Sequence, residues 1–350
     1  MKKLILLTTL LIPFIMFSQT KLGSDIDGEA ASDQSGRSVS MSSDGTIVAI
    51  GAPYSDENGS NSGHVRVYQY SSGSWSQLGA DIDGEASTNF SGWSVSLSSD
   101  GTIVAIGASN NDGNGSGSGH VRVYQYSSGT WSQVGGDING EAVGDYSGYS
   151  VSLSSDGTKV AIGSRYNGGG GSDSGHVRVY QYSSGSWSQV GADIDGEAAD
   201  DQFGFSVSLS SDGTIVAIGS HYNDGGGSDS GHARIYEYSS GSWSQLVPDI
   251  NGEAASDQSG KSVSLSSDGT KVAIGAPYND GGATNSGHVR VYDILTPEIS
   301  SVSLAADNST ITVTTSLSVY NSSGGSSDLE ATDFALSISG GSATLTSATP

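Results

Sequence analysis

The feature that most constrains this chain is a unit of 56 residues that occurs five times in register. The segment DIDGEA or DINGEA marks each copy, and it starts at Asp25, Asp81, Asp137, Asp193 and Asp249. SVSLSSDGT, (I/K)VAIG, a Gly-rich stretch, SGHVRVY and SSGSWSQ follow it, with small variations between copies. Repeats of this length with short strand patterns indicate propellers and related arrays, because one unit cannot bury its apolar residues alone.

Each unit contains four strand patterns. Ser94 to Ser98 alternates polar and apolar residues, and the turn segment SSDGT leads into a second apolar run at Ile103 to Gly107. His120 to Tyr126 alternates again, and Trp131 to Ile138 follows a short turn. No stretch has a helical period. Four antiparallel strands, named A to D from centre to rim, predict one propeller blade per unit.

The ends of the repeat region suggest how the ring closes. Strands A, B and C occur five times, but no strand D follows the last strand C at His288 to Ile294. Lys21 to Ile26 matches the strand D text of Gln77 to Ile82. We therefore predict an all-β chain whose residues 20–296 form a five-bladed β-propeller, with its last blade completed by the N-terminal strand.

Two further segments flank the repeats. Lys2 and Lys3 precede an apolar run from Leu4 to Phe17, which predicts a secretory signal peptide over residues 1–19. The alternative, a retained membrane anchor, is disfavoured because the run is short and contains Pro13. We expect a secreted or cell-surface protein with no membrane insertion after signal cleavage.

The segment after the repeats has a different pattern. Residues 297–350 alternate like β strands but lack the repeated unit, which predicts part of an immunoglobulin-like β-sandwich. Such a domain usually needs about 100 residues. We therefore expect the chain to be a fragment of a longer protein.

Composition excludes several function classes. The chain has 13 Lys+Arg against 37 Asp+Glu, a net charge of -24, and no Cys. Binding to nucleic acid needs a basic surface, so nucleic acid is not an expected partner. The absence of Cys excludes disulfide scaffolds, thiol catalysis and cysteine-ligated metals.

The link from strand D to the next strand A is a candidate calcium site. Oxygen-bearing side chains occupy positions 1, 3, 5 and 9 of each link, a spacing at which they can surround Ca²⁺. The residues are Asp25, Asp27, Glu29, Asp33; Asp81, Asp83, Glu85, Asn89; Asp137, Asn139, Glu141, Asp145; Asp193, Asp195, Glu197, Asp201; and Asp249, Asn251, Glu253, Asp257. The alternative is an acidic turn held by side-chain hydrogen bonds. Ca²⁺ is the one cofactor that the sequence suggests.

The Gly-rich loops between strands B and C are a second candidate. They share one face of the propeller with the D–A links, and they differ between copies, as a recognition surface requires. Their candidate ligand-binding residues are Asp56, Asp112, Asp224, Asp229 and Asp280. The alternative is that these residues only build turns.

Strands C and D carry repeated polar and aromatic residues. His64 and Arg66 recur in all five units, whereas a catalytic site normally requires one asymmetric group of residues. We predict that these side chains pair with carboxylates or carbonyls between blades. The tryptophans of strand D are predicted to pack at the rim rather than to bind sugars; they are Trp75, Trp131, Trp187 and Trp243.

The unit resembles the FG-GAP repeat of integrin-α-type propellers and their bacterial relatives. Phe203-Gly204 matches the name-giving pair, which is Ser-Gly in the other copies, and Gly51-Ala52-Pro53 and Gly275-Ala276-Pro277 match the Gly-Ala-Pro element. The resemblance implies a propeller fold and an extracellular recognition role. Integrin propellers have seven blades and a calcium loop between strands A and B, and this chain has neither.

These observations predict a recognition or adhesion module that binds an extracellular protein or glycan through its long-loop face. One alternative is a lectin-like glycan binder with up to five equivalent sites. Another is a propeller hydrolase, but near-identical units do not provide the two unlike environments that acid and base roles need. The sequence therefore predicts that the chain is not an enzyme.

Overall fold

The computed structural model describes residues 20–294, 299–304 and 311–315, and every regular element within them is a β strand. The predicted signal peptide, residues 1–19, lies outside the described residues. Of the predicted immunoglobulin-like segment, Ile299–Leu304 and Ile311–Thr315 are described, and they pair antiparallel with an irregularity between Ile299 and Ser301. This pair alone does not establish a sandwich, so that domain stays a prediction. No helix in the described part of the chain is long and apolar enough to span a membrane.

The chain forms a five-bladed β-propeller, in which four blades share one five-stranded arrangement and the fifth has the first three of these strands. Blade 1 contains β1 (Ser38–Met41), β2 (Ile47–Ala52), β3 (His64–Ser71), β4 (Ser74–Gln77) and β5 (Ile82–Asp83). Blade 2 contains β6 (Ser91–Leu97), β7 (Ile103–Ala108), β8 (His120–Ser127), β9 (Thr130–Gln133) and β10 (Ile138–Asn139). Blade 3 contains β11 (Ser150–Leu153), β12 (Lys159–Ser164), β13 (His176–Ser183), β14 (Ser186–Gln189) and β15 (Ile194–Asp195). Blade 4 contains β16 (Ser206–Leu209), β17 (Ile215–Ser220), β18 (His232–Ser239), β19 (Ser242–Gln245) and β20 (Ile250–Asn251), and blade 5 contains β21 (Ser262–Leu265), β22 (Lys271–Ala276) and β23 (His288–Asp293).

Strand D is divided in two, which corrects the single strand predicted from Trp131 to Ile138. β9 pairs with the end of β8, and β10 pairs with its beginning. Gly135 lies between the two halves with a φ of 73°, and a Cβ there would lie 2.8 Å from Cδ1 of Trp187 in the next blade. The strand breaks at this point because a left-handed residue makes room for the neighbouring indole.

The core lies between successive blades. Val65 and Val67 on strand C of blade 1 are buried against Val95 and Leu97 on strand A of blade 2. The same layer recurs between blades 2 and 3 and between blades 3 and 4. Burial of each such side chain contributes about 1.5–3 kcal/mol, so the apolar alternation of the sequence is satisfied mainly between units.

The A strands are innermost, and serines join them. Ser40 Oγ accepts a 2.9 Å hydrogen bond from the backbone N–H of Leu97, and the equivalent bond recurs from blade to blade as far as Leu265. Backbone bonds also run from Ser43 to Ser99 and onward to Ser267. The small Ser side chains therefore let strands of neighbouring blades approach closely around the axis.

The predicted closure by the N-terminal strand is wrong. The sheet of blade 5 has three strands, and Lys21 to Ile26 does not pair with β23. The N-terminal segment instead contacts blade 1, where Trp75 donates to the Leu22 carbonyl and Arg66 donates to the Asp27 carbonyl. The N-terminal segment thus contacts blade 1 in the same way that each D–A link contacts the blade that follows it.

Blades 1 and 5 leave a seam between them. Val39 and Met41 on β1 are 64% and 57% exposed, and Val289 and Val291 on β23 are both 67% exposed. Their equivalents at the other blade junctions are buried or half-buried. Within the described residues, none of the serine bonds that join neighbouring A strands connects blade 5 to blade 1. Blades 1 and 5 are therefore not packed on each other as the other neighbouring blades are, and the N-terminal segment contacts blade 1 and does not pair with β23.

Candidate functional site

One position at the beginning of strand A, directly before the segment SVS, differs in every unit. It carries Arg37, Trp93, Tyr149, Phe205 and Lys261, although Gly precedes it and SVS follows it in all five copies. Strand A is innermost, and its first residues lie on the face that bears the D–A links and B–C loops. These five side chains therefore surround the mouth of the axis on the long-loop face, and we call them the mouth cluster.

The mouth cluster is a continuous row of side chains in contact, with the neighbouring aromatic rings tilted by 46° and 48° to each other. The guanidinium carbon of Arg37 lies 4.4 Å from the ring centre of Trp93. The ring centres of Trp93 and Tyr149 are 5.5 Å apart, and those of Tyr149 and Phe205 are 5.0 Å apart. Lys261 Nζ lies 5.9 Å from the Phe205 ring. Aromatic pairs at these distances stabilise each other, and a cation stands at each end of the row.

Two residues that directly follow strand B, Arg165 and His221, pack against the aromatic rings of this row. Arg165 lies 4.0 Å from the ring centre of Tyr149 and 4.3 Å from that of Tyr166. The imidazole of His221 lies 4.0 Å from the ring centre of Phe205 and is buried. The three aromatic side chains of the mouth cluster are partly exposed, so each packs on its neighbours and still reaches solvent.

The mouth is positively charged in a chain of net charge -24. Burial raises the pKa of Tyr149, against the opposing effect of Arg165 and Arg37, so this phenol stays neutral. Burial, with Lys261 and Arg165 nearby, lowers the pKa of His221 to about 3. The permanent charges of the mouth are therefore Arg37, Arg165 and Lys261. The arrangement offers flat apolar surfaces bordered by cations.

Four of the five predicted loop aspartates accept a hydrogen bond from a backbone N–H group five residues later in the same loop. Asp56 Oδ1 accepts a 2.8 Å hydrogen bond from the Asn61 N–H, and Asp112 Oδ1 accepts one of 2.7 Å from Gly117. Asp224 likewise accepts from the Asp229 N–H, and Asp280 accepts from Asn285. One carboxylate oxygen at each of these four loops thus has a structural use, as the turn-building alternative implies.

The four oxygen-bearing positions of a D–A link do not face one common point in the structure. Position 9 is buried in every link. There Asp145 accepts from the Ala142 N–H at 2.8 Å and from Asn167 Nδ2 at 3.1 Å. Positions 1 and 5 of one link lie in different groups of side chains, because Asp81 lies near His64 and Glu85 lies near His120. Among the described residues, no three carboxylates of a single link meet, so calcium at one link stays a prediction from spacing.

Four groups of Glu, His and Asp lie between blades instead, and we call them the interblade clusters. In each, one ligand atom per side chain lies within 4.8 Å of the others. Acidic and imidazole groups in this arrangement could bind a metal ion. The members are Glu29, Glu57, His64, Asp81; Glu85, His120, Asp137; Glu141, His176, Asp193; and Glu197, His232, Asp249.

The histidines of the second, third and fourth clusters are buried and neutral. Burial, followed by the adjacent arginine, lowers the pKa of His120, His176 and His232 to about 4. In the first cluster, burial and the neighbouring Glu29 carboxylate raise the pKa of Glu57. The last three clusters thus hold uncharged imidazole beside carboxylates, and the first has a Glu57 carboxyl that gives up its proton less readily.

The predicted pairing of strand C with carboxylates between blades is confirmed. Arg66 Nη1 lies 3.1 Å from Glu29 Oε1, and the pair recurs in blades 2 and 3. Blade 4 differs, because Arg234 binds both carboxylate oxygens of Asp249 as well as Glu197. The predicted rim packing of the tryptophans is also confirmed, since Trp131 packs against Tyr126 with the rings tilted by 50° and donates to the Leu78 carbonyl.

Sequence reasoning missed the mouth cluster. The predicted binding residues lie in the long loops, where variation is expected, whereas the mouth cluster occupies one repeat position beside strand A. The signal is present in the sequence as five unlike residues between an unchanging Gly and an unchanging SVS. What the sequence lacks is the distance between them, because 56 residues separate consecutive members.

Comparisons with known proteins agree with the fold. The FG-GAP repeat family matches residues 20–68, 77–124, 193–236 and 246–292, which together exceed half of the chain. The third unit, between two of these stretches, has the same sequence pattern. No curated protein matches the sequence.

Solved structures with a similar fold include three proteins, each with a TM-score of 0.47. A Bacteroides uniformis protein described as a "putative 6-phosphogluconolactonase" is 13% identical, and the match covers 79% of this chain and 77% of that one. Hydrazine synthase of Kuenenia stuttgartiensis is 14% identical, with 77% and 66% covered. The periplasmic gluconolactonase PpgL of Pseudomonas aeruginosa is 15% identical, with 79% and 77% covered.

These structures correct the prediction that the chain is not an enzyme. Two of the three are described as lactonases. At these identities and TM-scores the likeness concerns the fold alone. No particular activity passes from those proteins to this chain.

Proposed function

The chain belongs to the FG-GAP repeat family, and from this premise we propose that it is an extracellular recognition module whose mouth cluster binds a glycan carrying acidic groups. The observation that carries the proposal is the column of five unlike residues at the axis mouth: Arg37, Trp93, Tyr149, Phe205 and Lys261. The repeated frame sets its geometry, and the unlike side chains set the contacts. Selective binding needs this combination.

The aromatic row favours a sugar ligand. Sugar rings have apolar C–H faces that stack on aromatic rings, while their hydroxyls stay hydrated at the edge. Trp93, Tyr149 and Phe205 form a row of three partly exposed rings with centres 5.5 and 5.0 Å apart. A row of this spacing suits consecutive rings of one oligosaccharide better than a single small molecule.

The cations favour an acidic ligand. Arg37 and Lys261 border the row at its two ends, and Arg165 lies beside Tyr149. Arginine binds carboxylate or sulfate groups with two parallel hydrogen bonds. Because the rest of the chain is strongly acidic, these cations also direct an anionic ligand to the mouth rather than to other surfaces.

The extracellular location is part of the proposal. It is supported by the signal-peptide pattern of residues 1–19 and by the family, whose repeats are typical of extracellular proteins. An extracellular protein is the second candidate ligand, since Trp, Tyr and Arg also dominate protein interfaces. The five-site lectin is disfavoured, because the mouth has one asymmetric set of residues rather than five equal ones.

The proposal is tested with an array of neutral and acidic glycans, followed by calorimetry on the best binder. We expect one glycan per chain, with binding weakened at least tenfold in Trp93→Ala and Tyr149→Ala. Arg37→Gln with Lys261→Gln should weaken acidic glycans and leave neutral ones unaffected. Trp187→Phe, a rim aromatic outside the mouth, is the matched control and should bind normally.

Other results would contradict the proposal in distinct ways. A stoichiometry near five would favour the multivalent lectin. Binding to no glycan, with capture of a defined extracellular protein through the same residues, would favour the protein ligand. Products released from the bound glycan would show that the mouth is a catalytic site.

A further inference from the structure

The first interblade cluster differs from the other three by one residue. Glu57, in the B–C loop of blade 1, places a carboxylate beside His64, Glu29 and Asp81. The other four units have Gly at this position; they are Gly113, Gly169, Gly225 and Gly281. Glu57 therefore turns a group of three side chains into a group of four.

We propose that Glu29, Glu57, His64 and Asp81 form a binding site for a divalent transition-metal ion such as Zn²⁺. The ligand atoms lie within 4.8 Å of one another. Two atoms bound to one tetrahedral Zn²⁺ at 2.0–2.1 Å lie about 3.3 Å apart. The side chains of Glu57 and Glu29 are 47% and 41% exposed, so their carboxylates can close the remaining distance.

His64 supplies an independent indication of a ligand. Its side chain is 1% exposed, and its Nδ1 faces Glu57 Oε2 at 3.8 Å. Within the described residues this nitrogen has no hydrogen-bond partner. A buried polar atom without a partner costs free energy, and a bound cation would remove that cost.

The donor set decides the class of ion. Ca²⁺ and Mg²⁺ take oxygen ligands, whereas imidazole nitrogen suits Zn²⁺ and the neighbouring transition metals. The site also carries three carboxylates close together, which a dication compensates. Arg66 lies 3.1 Å from Glu29 Oε1 and donates to the Asp27 carbonyl, so it orients Glu29 while leaving Oε2 for the metal.

The equivalent group of blade 4 is a weaker candidate, because its arginine binds more of its carboxylates. In blade 4, Arg234 forms ion pairs with Asp249 and Glu197, and Asn223 donates a hydrogen bond to Glu197 Oε1. A cation already satisfies those carboxylates. In blade 1, Arg66 contacts Glu29 but is not bonded to Asp81 or Glu57, so more ligand capacity is left.

The test is calorimetric titration of the full chain with Zn²⁺, together with a parallel Ca²⁺ titration. We expect one tight Zn²⁺ site that Glu57→Gly weakens at least tenfold, since this variant recreates the loop residue of the other units. The loop of blade 1 also has Ser55 where blade 2 has Asn111, so Asn111→Ser with Gly113→Glu transfers both loop residues to blade 2 and should raise the stoichiometry to two. Glu237→Gln, a carboxylate outside the clusters, is the control and should bind like the parent chain.

Circular dichroism and melting without metal identify variants that fold, and the following results apply to folded variants. Zn²⁺ binding that is unchanged in Glu57→Gly would overturn the proposal. So would Ca²⁺ binding tighter than Zn²⁺ at the site that Glu57 controls. A stoichiometry that stays at one in Asn111→Ser with Gly113→Glu would refute the role given to Glu57.

Discussion

The indole Nε1 of Trp131 donates a 2.7 Å hydrogen bond to the carbonyl oxygen of Leu78, a residue 53 positions earlier in the preceding blade. The same bond joins Trp187 to Val134 and Trp243 to Val190. At the start of the propeller, Trp75 makes it to Leu22 in the N-terminal segment. The indole hydrogen bond of each rim tryptophan thus joins its blade to the D–A link, or to the N-terminal segment, that precedes the blade.

Trp131→Phe should lower the free energy of unfolding by about 1 kcal/mol, the usual net value of one hydrogen bond. Phenylalanine keeps an aromatic ring beside Tyr126 but cannot donate to the Leu78 carbonyl. Urea denaturation measures the difference. A variant as stable as the parent chain would show that the indole contributes packing only, and Tyr126→Phe, which keeps the ring of Tyr126, serves as the control.

The seam between blades 1 and 5 predicts unequal costs at equivalent valines. Val291→Thr should change stability by less than about 0.5 kcal/mol, because Val291 is 67% exposed. Val179→Thr, at the same position of blade 3, should cost about 1–3 kcal/mol, because it buries a hydroxyl group. Both are measured by urea denaturation. Equal costs would mean that the ring closes in solution.

Acid should destabilise the protein through His221. Burial lowers its folded pKa to about 3, so the unfolded chain takes up the proton first as the pH falls below 6.5. Stability from this group is complete above pH 6.5 and decreases by roughly 1.4 kcal/mol for each pH unit well below it. His120, His176 and His232 act in the same direction.

The measurement is the free energy of unfolding between pH 7 and pH 5, where ordinary carboxylates stay ionised. His221→Ser, which copies Ser109 of blade 2, should give a shallower slope than the parent chain whatever its absolute stability. A slope that does not change would show that His221 is not held neutral by burial.

Asp145→Ala should lower stability by about 1–3 kcal/mol, because it leaves the buried Asn167 amide and the Ala142 N–H without their acceptor. The loss should be the same with and without a chelator. A loss that disappears when the chelator is present would instead assign this position to a bound cation, as the calcium hypothesis requires. Asp173→Ala, on the neighbouring loop, is the control and should have a smaller effect.

The strands, the turns and the division into blades could be predicted from the sequence alone. The alternation of HVRVY predicts strand C, SSDGT predicts the A–B turn, and the repeat predicts that each unit forms one blade. The pairing of Arg66 with a carboxylate was also predictable, because a repeated buried cation needs a repeated partner. These features depend on neighbouring residues or on one unit meeting the next.

The sequence by itself determined the blade, the number of blades and the face that carries the long loops, since these follow from periodicity and turn chemistry. Only the tertiary structure decided that Lys21 to Ile26 lies against blade 1, that Glu57 joins His64, and that Arg37 and Trp93 stack. The reason is that the angle between successive blades depends on side-chain packing over the whole interface. That angle decides whether the ends meet and which residues share the axis mouth, and no local pattern contains it.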